Sequence, residues 1–234
     1  MNLKVKLFAD GAEKSGMIEM AKNPIISGLT TNPTLMNKAG IKNYEAFAKD
    51  ILSEIKDKPI SFEVFADELD EMERQAKIIA QWGDNVYVKI PITNTKGIST
   101  LPIIDSLANS GVKLNVTAMM TFDQVKEVVP ALKNGAASYV SVFAGRIADT
   151  GIDPMPIMKQ IVDYLKPTPT IELIWASPRE LLNVMQADAV GCHIITATND
   201  ILKKLSSVGK DLTQFSLETV QMFFKDAQSA GYTI

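Results

Sequence analysis

The chain is short of the residues on which most metal and redox chemistry depends. Its 234 residues include one cysteine, Cys192, and one histidine, His193. A single thiol forms no intramolecular disulfide and no clustered thiolate site, and a lone imidazole excludes a multi-histidine metal site. No apolar run reaches the roughly eighteen residues of a membrane helix. The opening stretch, MNLKVKLFADGAEK, lacks the apolar core and cleavage site of a secretory signal, so a reducing cytoplasm is the expected location. Neither GxGxxG after the first strand nor GxxxxGK[ST] occurs, which removes the common nucleotide fingerprints. A formal net charge of -3 gives no general reason to expect nucleic acid or membrane as a partner, although it leaves room for a local basic pocket. No linker or low-complexity segment divides the chain, which reads as a single domain over residues 1–234.

What the chain does have is a regular alternation. Eight β-rich runs, KVKLFAD, IISGLTTNP, ISFEVFA, NVYVKIP, KLNVTAM, YVSVFAGR, TIELIWAS and HIITAT, are each followed by a helix or helix-like connection. The helical patterns include YEAFAKDILSEI, DEMERQAKIIAQW, TFDQVKEVVPALKN, which Pro130 either kinks or bounds, and PRELLNVMQ. Alternating β and α units argue for a parallel sheet with helical crossovers. Eight units predict an α/β fold of the (β/α)8 TIM-barrel type, ahead of an open doubly wound sheet. A further amphipathic helix, at about 213–230, lies beyond the eighth unit. Its Met222, Phe223 and Phe224 are read as core contacts in preference to a partner site.

In a parallel barrel both faces of a strand are buried, and side chains alternate between the helices and the interior. In NVYVKIP, Val86, Val88 and Ile90 suit the helix side, which turns Lys89 inward at the C-terminal end of its strand. The same parity turns Asp10, Glu63, Asn115, Thr117, Ser141 and Phe143 inward, and Asn32 ends the second strand before Pro33. Singly, each has an ordinary reading. A strand lysine usually faces water, Asp10 could cap a helix, Asn32 could serve a turn, and Thr117 or Ser141 mean little. Together they differ, because burying such groups unpartnered costs about 1–3 kcal/mol each, and more for charges. A connected polar cluster at the C-terminal strand ends is where barrel enzymes work.

Burial of an amine disfavours its ammonium form, and a neutral amine attacks ketones to give a Schiff base. Nearby carboxylates would oppose this unless distance, a proton or an ordered water intervenes. Glu63 and Asp10 would then carry the proton transfers. Arg146 in FAGRIAD, with Ser177 and Arg179 in WASPRE, suits a phosphate pocket through charged forks, although surface salt bridges explain two arginines equally well. Cys192, His193 and the eleven methionines read as packing.

The segments LFADGA, GLTTNPTL, VYVKIP, LNVTAM, VSVFAGRIAD and WASPRE resemble those of the transaldolase family, in particular its short microbial members. The resemblance implies a covalent lysine intermediate at Lys89, no metal and no organic cofactor. It implies that Asp10 handles the C4 hydroxyl and that Glu63 and Thr117 hold a catalytic water. Asn32, Asn115 and Ser141 would bind the dihydroxyacetone portion, and Arg146, Ser177 and Arg179 the phosphate. The family includes fructose-6-phosphate aldolases, which typically carry Gln at position 63 and Tyr at position 143. Glu63 and Phe143 form the transaldolase pairing instead. The implied activity is dihydroxyacetone transfer between phosphorylated sugars in the pentose phosphate pathway. The alternatives are an aldolase releasing free dihydroxyacetone and a silent sugar-phosphate binding protein. Trp175 stands where a small residue is expected, and facing inward it would narrow the pocket. The resemblance also implies a homo-oligomer, with a decamer as one form, involving the final helix.

Overall fold

The structure, a computed structural model, describes residues 2–234. Two compact units are present, one closing at Leu202 and one spanning Lys203–Ile234. The first begins with β1 (Lys6–Asp10), α1 (Lys14–Lys22), β2 (Ile26–Thr30), α2 (Pro33–Lys38), α3 (Tyr44–Glu54), β3 (Ile60–Glu63) and α4 (Leu69–Ala80). It continues through β4 (Val86–Pro91), α5 (Leu101–Asn109), β5 (Leu114–Met119), α6 (Phe122–Leu132), β6 (Ser138–Val142), α7 (Ala144–Asp149) and α8 (Met155–Leu165). The series ends with β7 (Ile171–Trp175), α9 (Leu182–Val190), β8 (Ile194–Thr198) and the short α10 (Asn199–Lys203). The strands pair in parallel in sequence order, and β8 returns to β1 to close the barrel. This is the (β/α)8 architecture that the alternation predicts.

Parity behaves as the sequence indicates. Val86, Val88 and Ile90 are buried towards the helices, each stabilising the fold by roughly 1.5–3 kcal/mol. The lower interior holds Phe8, Tyr139, Ile174 and Ile194, with Tyr87 packed against them. Tyr87 and Tyr139 stack with ring centroids 4.1 Å apart, and Phe8 meets Tyr139 edge-on at 5.8 Å. Gly28 makes room for this layer, since a Cβ there would lie 2.5 Å from the Phe8 ring. This layer is therefore apolar and filled; below it Lys6 of β1 pairs with Glu172 of β7 at 2.8 Å, and the polar side chains of the cavity lie above it.

The ends of β2 and β6 differ from the sequence reading. The second strand stops at Thr30 and does not run to Pro33. Pro33 starts α2, where its missing N–H costs nothing, and Asn32 Oδ1 accepts the Leu35 N–H at 2.9 Å. The sixth strand stops at Val142, because Phe143 opens α7, which places Arg146 on a helix. Pro130 lies inside α6, which runs on to Leu132.

In the second unit, α11 (Leu212–Ala230) follows a short 3-10 turn at Lys204–Ser207. Asp211 caps it by accepting the Gln214 N–H at 2.8 Å, and Gly231 ends it in the left-handed region that favours glycine. Met222, Phe223 and Phe224 are exposed, not core contacts as expected. Helical periodicity marks a face as apolar without saying what covers it.

Candidate active site

A cavity of about 530 Å³ opens at the C-terminal ends of the strands. All eleven residues singled out from the sequence line it: Asp10, Asn32, Glu63, Lys89, Asn115, Thr117, Ser141, Phe143, Arg146, Ser177 and Arg179. They come from seven of the eight strands or the connections that follow them, so only barrel closure could bring them together.

Lys89 is buried and sits in register with Glu63 of β3 and Asn115 of β5. Its Nζ donates to the Thr31 carbonyl at 2.9 Å and lies 3.1 Å from Glu63 Oε2. The sequence left three ways for the carboxylate to coexist with a reactive amine. The structure removes distance from that choice for Glu63, since the two groups touch. Removing either partner of such a sheltered pair would strand the other.

Asp10 ends β1, and its Oδ1 accepts from the Thr30 hydroxyl at 2.7 Å. Thr30 Oγ1 is in turn 2.5 Å from Thr196 Oγ1. With the Thr30 proton directed at Asp10, Thr196 donates to Thr30, and a three-member relay ends on the carboxylate. Burial pushes the Asp10 carboxyl above its ordinary value of 3.8, with the Glu63 charge adding to the rise. Lys89 and the Thr30 hydrogen bond oppose that rise. Asp10 is thus a carboxyl held closer to protonation than a surface aspartate.

Asn115 is fixed on both sides of its amide. Nδ2 donates to Ser61 Oγ at 3.0 Å, and Oδ1 accepts from Ser141 Oγ at 2.7 Å. Asn32 commits its Oδ1 to the helix cap, so its amide nitrogen is what remains for a ligand. Thr117 Oγ1 is buried with no protein partner among the described residues. The next residue, Ala118, has φ 63° beside a register shift in the β5–β6 ladder. That left-handed residue, costing about 1–3 kcal/mol, brings Thr117 and Ala118 both onto the cavity wall.

The two arginines are not equivalent. Arg179 Nε donates to Asp149 Oδ1 at 2.8 Å, its Nη2 pairs with Asp149 Oδ2, and its Nη1 donates to the Ser177 carbonyl and hydroxyl at 3.0 and 2.9 Å. Most of its donor fork is therefore already in use, as the surface-bridge reading expects, while the residue still lines the cavity. Arg146 lies 5.6 Å from the Phe143 ring centroid and has no ion-pair partner among the described residues. Ser177, at φ 60°, is pressed against Gly145, where a Cβ would come within 1.6 Å of the Ser177 carbonyl oxygen. Only glycine allows the two arginine-bearing segments to approach so closely.

Trp175 is fully buried and absent from the cavity wall, so it does not narrow the pocket. Its neighbour Ile174 faces the interior, and alternation turns Trp175 to the helices. Sequence reasoning missed Thr30, Thr34, Lys38 and Thr196 on the wall. Strand parity was a usable signal for the two threonines Thr30 and Thr196. None existed for Lys38, which reaches the cavity from the last residue of α2. His193 packs as expected, with Nδ1 accepting from the Leu173 N–H at 3.0 Å.

A parallel eight-stranded barrel with a sheltered lysine–carboxylate pair in a cavity at the C-terminal strand ends defines the class: a (β/α)8 barrel with its candidate active site where barrel enzymes place theirs. The profile described as Transaldolase/Fructose-6-phosphate aldolase matches residues 7–234. A "Probable transaldolase 2" of Listeria monocytogenes is 36% identical, covering 87% of this chain and 89% of that protein. A "Probable transaldolase" of Thermoanaerobacter sp. is 34% identical, covering 98% and 100%. The chain belongs to the transaldolase/fructose-6-phosphate aldolase family. Among solved structures, dihydrodipicolinate synthase from Rhodopseudomonas palustris aligns with a TM-score of 0.59 at 14% identity, covering 95% of this chain and 79% of that one. At that identity it shares the fold alone.

Proposed function

We propose that the protein transfers a dihydroxyacetone unit from a ketose phosphate to an aldose phosphate through an imine on Lys89. The observation that carries this is the 3.1 Å contact between Lys89 Nζ and Glu63 in a cavity that also holds Asp10. Glu63 takes a proton from the ammonium group, and the freed amine attacks the C2 ketone. Glu63 returns a proton to the carbinolamine hydroxyl, which leaves as water, giving the iminium. Asp10 then removes the C4 hydroxyl proton. The C3–C4 bond breaks, its electrons pass into the iminium, and the first aldehyde departs. The resulting enamine attacks the second aldehyde, Asp10 returns its proton, and hydrolysis frees Lys89.

Transfer is favoured over release of free dihydroxyacetone because Phe143 carries no hydroxyl to guide a proton onto the enamine. The test is to incubate the protein with fructose 6-phosphate, with and without erythrose 4-phosphate or glyceraldehyde 3-phosphate. Free dihydroxyacetone should form without acceptor at roughly a tenth or less of the transfer rate. Rapid multiple turnover without acceptor would make it an aldolase.

Phosphate recognition falls mainly to Arg146, whose fork is open, with Arg179 held by Asp149 as the second contact. Arg146→Ala should raise KM for fructose 6-phosphate about 30- to 100-fold, the loss of one or two charge-assisted hydrogen bonds. Its rate with unphosphorylated fructose should stay close to that of the wild type. A smaller effect than that of Arg179→Ala would reverse the assignment.

A further inference from the structure

The bond pattern around Glu63 carries an inference that rests on the reading of Lys89 and Glu63 above. β2 pairs with β3 only at Leu29–Ile60 and Thr30–Ser61. Thr31 N–H still donates to the Ser61 carbonyl at 3.1 Å. In a parallel ladder the next bond would run from the Glu63 N–H to the Thr31 carbonyl. That carbonyl instead accepts from Lys89 Nζ at 2.9 Å. The backbone of Glu63 is thereby left without its strand partner on one side, at the point where its carboxylate must be held beside the amine.

Tyr44, the first residue of α3, fills the place. Its hydroxyl accepts the Glu63 N–H at 2.8 Å and donates to the Glu63 carbonyl at 2.8 Å. One phenol thus satisfies both backbone groups of one residue. The ring is held in turn by Phe62, Phe65 and Trp82, with centroids 6.3, 5.5 and 5.7 Å away. Burial keeps the phenol protonated far above its usual range, so the donated bond persists at all working pH values.

We infer that Tyr44 is a positioning residue: it replaces β2 as the ladder partner of Glu63, which frees the Thr31 carbonyl for Lys89 and holds the Glu63 carboxylate against the amine. It touches no substrate and acts through the backbone of β3. An unpartnered Glu63 backbone would shift or take up water, and the carboxylate would follow.

The test compares Tyr44→Phe in two backgrounds. In the otherwise native enzyme, kcat should fall about tenfold, KM should change less than about twofold, and borohydride should still trap substrate on Lys89. In Glu63→Gln, the same change should cost less than about twofold, because the group being positioned is already gone. Phe65→Leu trims the ring packing, keeps the hydroxyl, and should leave kcat near the wild-type value. A wild-type kcat in Tyr44→Phe, or an equal loss in both backgrounds, overturns the inference. Should Tyr44→Phe fail to fold, hydrogen exchange at the Glu63 amide of the wild type decides, with protection expected and rapid exchange overturning it. No borohydride adduct in the wild type would instead sink the reading of Lys89, and the exchange result would still bear on the tether.

Discussion

Lys89→Met should abolish turnover, lowering kcat/KM by on the order of 10^4-fold or more, and should remove all borohydride-trapped substrate. Each proposed step, from attack on the ketone to storage of the cleavage electrons, passes through this nitrogen, and no neighbouring side chain can replace it. Lys38 also lines the cavity but is exposed, on a helix across the opening. The fold should survive. Methionine fills the same unbranched volume, and Glu63 keeps access to the cavity, so the uncompensated carboxylate is not fully entombed. Only the lysine of the ion pair is replaced, which leaves the Glu63 carboxylate without its cation, so Tm should fall below the wild-type value while the variant stays folded. Intact-mass and initial-rate measurements check both statements. An adduct persisting on the variant, or a rate within about tenfold of native, would exclude Lys89 as the nucleophile.

Asp10→Asn should have the second largest effect, roughly 10^2- to 10^4-fold on kcat, the range for removing a general acid–base group. Imine formation should continue, because Asp10 acts on the C4 hydroxyl and not on the amine. Trapped donor should therefore accumulate without cleavage. Stability should move the opposite way. Burial raises the Asp10 carboxyl from 3.8 in the folded state, so the native state binds this proton more tightly than the unfolded chain does. As pH rises from the ordinary carboxylate range through the raised one, the wild type loses that contribution. Asp10→Asn has no proton to lose, so its Tm should exceed that of the wild type at neutral pH, with the gap closing in acid. Thermal melts across the acid-to-neutral range test this, and an equal or lower Tm at neutral pH would contradict it.

Much of the site was legible because parity in a doubly buried strand is unforgiving. Val86, Val88 and Ile90 demand the helix side, and Lys89 has nowhere else to point. The same parity brings residues from β1, β3, β5 and β6 to one mouth. What stayed hidden depends on contacts between distant segments. Asp149 lies 30 positions from Arg179, and nothing in FAGRIAD or WASPRE says that one carboxylate takes most of the other segment's fork. The direct Lys89–Glu63 contact was equally invisible, because register between neighbouring strands is set by barrel closure and not by either strand's sequence. Turn chemistry hid two ends: TTNP and FAGR read as continuations of their strands, but α2 starts at Pro33 and α7 at Ala144.

The early departure of β2 also sets an arithmetic of hydrogens. As an ammonium group, Lys89 carries three N–H bonds and satisfies both the Thr31 carbonyl and Glu63. Joined to carbon by a double bond, the same nitrogen keeps only one. It must then release an acceptor, and the backbone oxygen is the one that cannot swing away. Capture of the ketose would therefore unhook the glutamate by valence alone.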